Sequence, residues 1–145
     1  MSSTTDIERI LLDRDPQLLL DAEGLLGSSA SADTRSGPPV KSHQMMGLVG
    51  AAAAAAETNK PAELLKYADH QRNKLNPESD RDGPMLAFWS AYRKVYQDIQ
   101  ACAKQDMADH GKEDVAQLHA AMALTMTRHL AAHNRYLGAP TAGGR

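Results

Sequence analysis

The sequence predicts an all-α protein, a small helical bundle of about five or six helices. Strand signals are almost absent, because aromatic residues make up only 4% of the 145 residues and no stretch alternates polar and apolar side chains with a period of two. Helical spacing, in contrast, recurs along the chain. It is clearest in residues 112–138, where one set of side chains falls within roughly 80° around a helix. The set is Val115, His119, Met122, Met126, His129, His133 and Leu137.

The N-terminal part differs from the rest in charge and composition. Thr4 or Thr5 can cap a first short helix, and Pro16 can open a second one over residues 17–26. Residues 27–39 are rich in Ser, Gly and Pro, which predicts a linker. We therefore expect an acidic arm with short helices and a linker over residues 1–40, a helical bundle over 41–138 and a flexible tail over 139–145. The alternative is packing of the arm on the bundle through Ile7, Leu11, Leu18 and Leu19.

Three further helices are predicted before the last one. Ser42 can cap a helix that runs into the alanines at 51–56, and Pro61 suits the first turn of the next helix. After a polar loop, Pro84 opens a long helix that ends near His110. Its apolar stripe contains Met85, Trp89, Tyr92, Tyr96, Ile99, Ala103 and Met107. We interpret this stripe as core, and an exposed platform for base stacking is the alternative.

Charge is distributed unevenly along a chain whose net charge is −2. Residues 1–36 contain seven acids and three bases, a net of −4, whereas residues 37–145 contain eleven acids and thirteen bases, a net of +2. This balance argues against a globally cationic nucleic-acid binder. No apolar run reaches the roughly 20 residues of a membrane span, and the N-terminus has no signal pattern. We expect a cytoplasmic protein.

The residues that could carry chemistry do not form a recognisable catalytic set. His129 and His133 have the i, i+4 spacing of a metal-binding helix, but no glutamate lies between them and no cysteine pair completes a site. We favour histidines that are hydrogen-bonded within or beside the bundle, with metal ligation as the alternative. Cys102 lacks a nucleophile motif, and no phosphate-binding loop is present. The sequence predicts no enzyme, no metal and no cofactor.

Basic side chains on several helices form the strongest functional pattern. Arg93 and Lys104 end a row of donors, with Gln97 and Gln100 between them, along one flank of the long helix. Contact with a phosphate backbone requires such long donors, although each of them alone also fits a solvated helix face. The candidate nucleic-acid-binding residues are Lys66, Arg72, Lys74, Arg93, Lys104, Arg128 and Arg135.

The end of the chain resembles a known family. Residues 128–138 are similar to the closing helix of the small helical subunit of class 1 CRISPR effector complexes, in the type III-A form or a diverged type IV form. The family's closing Ala-Tyr-His-basic-Tyr-x-Gly-like stretch is approximated by Ala132, His133, Arg135, Tyr136 and Gly138. Residues 42–44 are comparable to the start of the family's core, and the resemblance covers about 41–138.

The resemblance implies a non-catalytic subunit of a ribonucleoprotein. Several copies would stack along a filament that carries crRNA, would pack against its other subunits, and would contact crRNA or target nucleic acid through phosphates without sequence specificity. Two alternatives remain open. One is a helical adaptor or inhibitor that binds only protein. The other is a metal-binding bundle built around His119, His129 and His133.

Overall fold

The structure is a computed structural model that describes residues 3–29 and 40–138. It confirms the predicted fold class, since these residues form five helices and no strand. None of these helices combines the length and apolarity needed to cross a membrane. The helices are α1 (Ser3–Ser29), α2 (Ser42–Thr58), α3 (Pro61–Asn73), α4 (Gly83–Asp106) and α5 (Lys112–Gly138).

Helix α5 is the central element, because it packs against all four other helices. Its buried face is therefore wider than the predicted stripe and also includes Leu118, Ala123 and Leu130. His119 is buried as expected, but His129 and His133 lie half-exposed at the edge of this face.

The prediction of two short N-terminal helices is wrong, because α1 is one helix that continues through Pro16. Proline inside a helix removes one hydrogen bond and usually ends the helix. Here both Pro16 and Leu12, whose carbonyl loses its donor, lie on the exposed side of α1. Water can therefore satisfy that carbonyl, and burial of the opposite side keeps the helix continuous.

The structure also contradicts the expectation of an arm that stands apart from the bundle. Apolar residues of α1 belong to the same core as those of α4 and α5: Ile7, Ile10, Leu18, Ala22, Leu25 and Leu26. Arg14 forms two hydrogen bonds to Asp106 at the end of α4, of 2.8 and 2.7 Å. The packing alternative is thus the observed one, although Leu19 is exposed. Most of the predicted linker, and the tail over 139–145, lie outside the described residues.

Helices α2 and α3 form a close pair. Helix α2 begins at Ser42, so the prediction that Ser42 is its cap is wrong; the N-cap residue is Lys41. The Lys41 amide donates to the Gln44 side chain at 3.4 Å. Asn59 ends α2 in the left-handed conformation with φ 57°. A Cβ on Gly47 would overlap the hydroxyl of Tyr67, so glycine at this position leaves room for the Tyr67 side chain of α3 in its observed conformation.

The aromatic residues of α4 are core, as predicted, and do not form an exposed platform. Phe88, Trp89 and Tyr92 are buried, and the rings of Phe88 and Trp89 meet edge to face with centroids 4.9 Å apart. The buried Tyr92 hydroxyl lies 2.8 Å from Oγ1 of Thr127, which in turn donates to the Ala123 carbonyl at 2.7 Å. Stacking of bases on this set is excluded.

Candidate nucleic-acid interface

A groove between α2 and α5 joins apolar and basic side chains on one face. Its volume is about 500 Å³, and Met46 at its edge is 72% exposed. No acidic residue is among the described residues that line it. The lining consists of Ser42, Met45, Met46, Val49, Gly50, Arg128, Ala131, Ala132, Asn134 and Arg135.

Helical geometry places Arg128 and Arg135 together. Residues seven apart lie on the same side of a helix and are separated by about 10 Å along its axis. Both side chains are exposed and both line the groove. Both therefore point away from the buried face of α5.

Asn134 lines the same groove, but its side-chain amide is buried. It is 4% exposed, and its side-chain nitrogen donates to the Val40 carbonyl at 2.9 Å. Its side-chain oxygen has no hydrogen-bond partner within the part of the chain that the structure describes. A buried acceptor without a partner is costly, and because this oxygen is itself buried, it is not a contact point for a molecule in the groove.

The other candidate nucleic-acid-binding residues do not line the α2–α5 groove. Arg93 is held by Asp69 of α3, so its charge is already partly neutralised. Lys66 lies 3.6 Å from Glu63 and is exposed. Lys104 lines a different cavity, at the junction of α4 and α5. Arg72 lies in the last turn of α3 and Lys74 at its C-cap.

The histidines are engaged in other ways than metal binding. His129 lies 2.7 Å from Asp15 of α1, and His110 lies 3.3 Å from Asp6. The ring of His119 packs against Tyr96 at a centroid distance of 4.5 Å. Over residues 3–29 and 40–138, no group of three or more His, Cys, Asp or Glu side chains is arranged to hold a metal ion. The metal-binding alternative therefore gains no support.

Sequence reasoning missed two features of the groove. The amide of Asn134 is buried, and its nitrogen donates to the Val40 carbonyl within the protein. Met46, in the apolar N-terminal half of α2, is exposed. Both depend on how α2 crosses α5, which no local pattern encodes.

The comparisons with known proteins returned no match: no family model, no curated protein and no solved structure corresponds to the chain. The resemblance to the CRISPR small subunits therefore rests on the sequence motifs alone, chiefly those in residues 42–44 and 128–138.

Proposed function

We propose that this protein is a non-catalytic small subunit of a ribonucleoprotein and that the α2–α5 groove contacts a nucleic-acid backbone without sequence specificity. The observation that carries the proposal is the pairing of Arg128 and Arg135 on the rim of a groove that no described acid lines. The resemblance of the closing helix indicates a CRISPR effector complex as the assembly.

The chemistry of the groove suits a single-stranded backbone. Guanidinium groups bind phosphates with two parallel hydrogen bonds and keep their charge at any physiological pH. The apolar side chains of Met46 and Val49, which also line the groove, can cover sugar or base surfaces.

Binding by one copy should be weak, because two arginines release few counterions. Several copies along one strand would raise the effective concentration of each neighbouring contact. A subunit that stacks in a filament would thus bind firmly through a face that is modest in each copy. In this proposal Arg128 and Arg135 make the main contacts to the nucleic-acid backbone. The other candidate residues contribute less: Lys66, Arg72, Lys74, Arg93 and Lys104.

A salt series on the purified protein tests this proposal. Fluorescence anisotropy with a mixed-sequence single-stranded RNA would compare the wild type with Arg128→Glu/Arg135→Glu between about 50 and 200 mM salt. We expect weaker binding and a salt slope that falls by about one for each lost contact. The control Arg81→Glu/Lys94→Glu makes the same change in net charge at exposed residues outside the groove. An equal loss in both variants would contradict the assignment of the groove.

A protein-only adaptor is the second candidate, and the exposure of Met46 favours it. An exposed methionine beside small apolar residues is typical of a surface that accepts a partner helix. Met46→Gln removes the apolar contact and keeps the arginines. Unchanged RNA binding by both the arginine and the Met46 variants, with loss of a co-purifying protein in Met46→Gln, would favour this candidate.

A further inference from the structure

The outer side of α1 carries a group of apolar side chains that the bundle does not cover. Four large apolar residues are exposed in the described part of the chain, and three of them lie on this helix: Leu12, Leu19 and Leu20. Pro16, between them, is exposed as well. Single apolar side chains are ordinary on a protein surface, but a group of them on one helix indicates a surface that contacts a partner.

The exposed residues follow the spacing of a coiled-coil seam. In such a seam the contact positions alternate steps of three and four residues, and in α1 these positions begin at residue 9. At about 100° per residue, all of them fall within about 60° of Pro16. The exposed seam positions are Arg9, Leu12, Pro16, Leu19 and Glu23. The opposite side of α1 packs into the protein's own core, so the outer seam is available to one further helix.

The charges at the two ends of the seam fix the direction of that helix. Arg9 lies at the N-terminal end and Glu23 at the C-terminal end, about 21 Å apart along the axis. If two copies of α1 paired in parallel, like charges would meet at both ends. If they pair antiparallel, Arg9 of each copy lies opposite Glu23 of the other. The seam is thus complementary to itself, which a two-fold symmetric contact requires.

We propose that the outer face of α1 is a dimer interface at which a second copy of this chain packs antiparallel through the same seam. Pro16 then lies at the two-fold axis, and Leu12 of each copy packs against Leu19 of the other. The interface is independent of the proposed function, because no residue of α1 lines the α2–α5 groove. Both copies keep that groove open.

The dimer is weak, since one helix from each copy covers less than the roughly 1,200 Å² of a standard interface. Arg9 also lies 3.8 Å from Asp6 of its own helix, an exposed pair that contributes little and leaves the guanidinium accessible. The Leu12 carbonyl, which Pro16 leaves without a helical donor, keeps a bridging water as a partner. We expect a Kd of about 100 µM, so that the dilute protein is monomeric.

Sedimentation equilibrium over about 10 µM to 1 mM measures this dimer. The wild type should change from monomer to dimer across the range. Leu12→Gln removes an apolar contact from both halves of the interface and should weaken the dimer at least about tenfold. The control Met46→Gln removes a similarly exposed apolar side chain outside α1, and it should dimerise like the wild type.

Exchange of the end charges tests the antiparallel direction. Arg9→Glu and Glu23→Arg should each weaken the dimer about tenfold, because each brings like charges together at both ends. An equimolar mixture of the two variants should form a heterodimer, in which opposite charges meet again at both ends. The double variant Arg9→Glu/Glu23→Arg should dimerise like the wild type for the same reason.

Three results would overturn the proposal. One is a wild type that stays monomeric up to about 1 mM. Another is a mixture of the two charge variants that associates no better than either variant alone. The third is loss of the dimer in Arg128→Glu/Arg135→Glu, which would show that the outer face of α1 packs into the α2–α5 groove of another copy instead of against a second α1.

Discussion

At the residue scale, two buried hydroxyl groups in the core, those of Tyr92 and Thr127, require a fixed order of hydrogen-bond donor and acceptor. Tyr92 is fully buried, and burial raises the pKa of its hydroxyl well above the ordinary value. Its only described partner, Thr127, has its own proton engaged with the Ala123 carbonyl. The Tyr92 hydroxyl is therefore the donor in its bond to Thr127, and it depends on that acceptor.

Removing Thr127 from this hydrogen bond should destabilise the protein more than removing the Tyr92 hydroxyl. Thr127→Val leaves a buried hydroxyl unpaired and should lower the free energy of unfolding by about 1–3 kcal/mol. Tyr92→Phe leaves the Thr127–Ala123 bond intact and should cost about 1 kcal/mol or less. Urea denaturation of both variants measures the difference. A larger cost for Tyr92→Phe would contradict this order of donor and acceptor.

His119 makes stability depend on pH. In the unfolded chain the imidazole takes up a proton below its ordinary pKa of 6.5, but in the folded protein only below about 4. The unfolded state therefore binds more protons between these values, so stability is complete above pH 6.5 and falls by up to about 3 kcal/mol as the pH decreases to 4.

In the variant His119→Gln, the loss of stability at low pH that comes from His119 should be absent. Denaturation of wild type and variant over about pH 4–7 gives the difference in stability, in which the titration of the other histidines cancels. A difference that stays constant with pH would show that His119 protonates as readily in the folded protein as in the unfolded chain.

At the scale of elements, the sequence predicted well wherever burial follows helical periodicity. The α4 stripe from Trp89 to Met107 was assigned correctly, because one face of a long amphipathic helix is buried throughout. The prediction of α1 was wrong at Pro16, because proline locally favours the end of a helix. In the folded protein, burial of α1 against α4 and α5 outweighs that preference, and this burial cannot be read from the local sequence. The pairs of α1 with Asp106, His110 and His129 join distant parts of the chain, which no local pattern reveals.

The packing of α1 leads to a test within a single helix. Leu18 is 2% exposed and Leu12 is 77% exposed. Leu18→Ala should lower the free energy of unfolding by about 2–5 kcal/mol, since it opens a cavity in the core. Leu12→Ala should change it by less than about 0.5 kcal/mol. Thermal or urea denaturation distinguishes them, and equally small effects would restore the model of a separable arm.

At the scale of the whole molecule, the central helix α5 separates two surfaces. Its C-terminal half lines the α2–α5 groove through Arg128, Asn134 and Arg135. Its N-terminal half lines the cavity at the junction of α4 and α5 through Lys112 and His119. Composition showed that basic residues were present on several helices, but only the packing shows which of them share a face. A modest net charge is compatible with nucleic-acid contact because the α2–α5 groove has no described acid in its lining.

The central claim is that this groove is the surface that nucleic acid covers, and the methionine methyl groups report on it directly. In ¹³C-methyl spectra, a mixed-sequence single-stranded RNA should shift the resonance of Met46, which is exposed beside Arg128 and Arg135. The resonances of Met107 and Met122, buried elsewhere, should stay in place. An unmoved Met46 resonance at RNA concentrations that saturate binding would contradict the account.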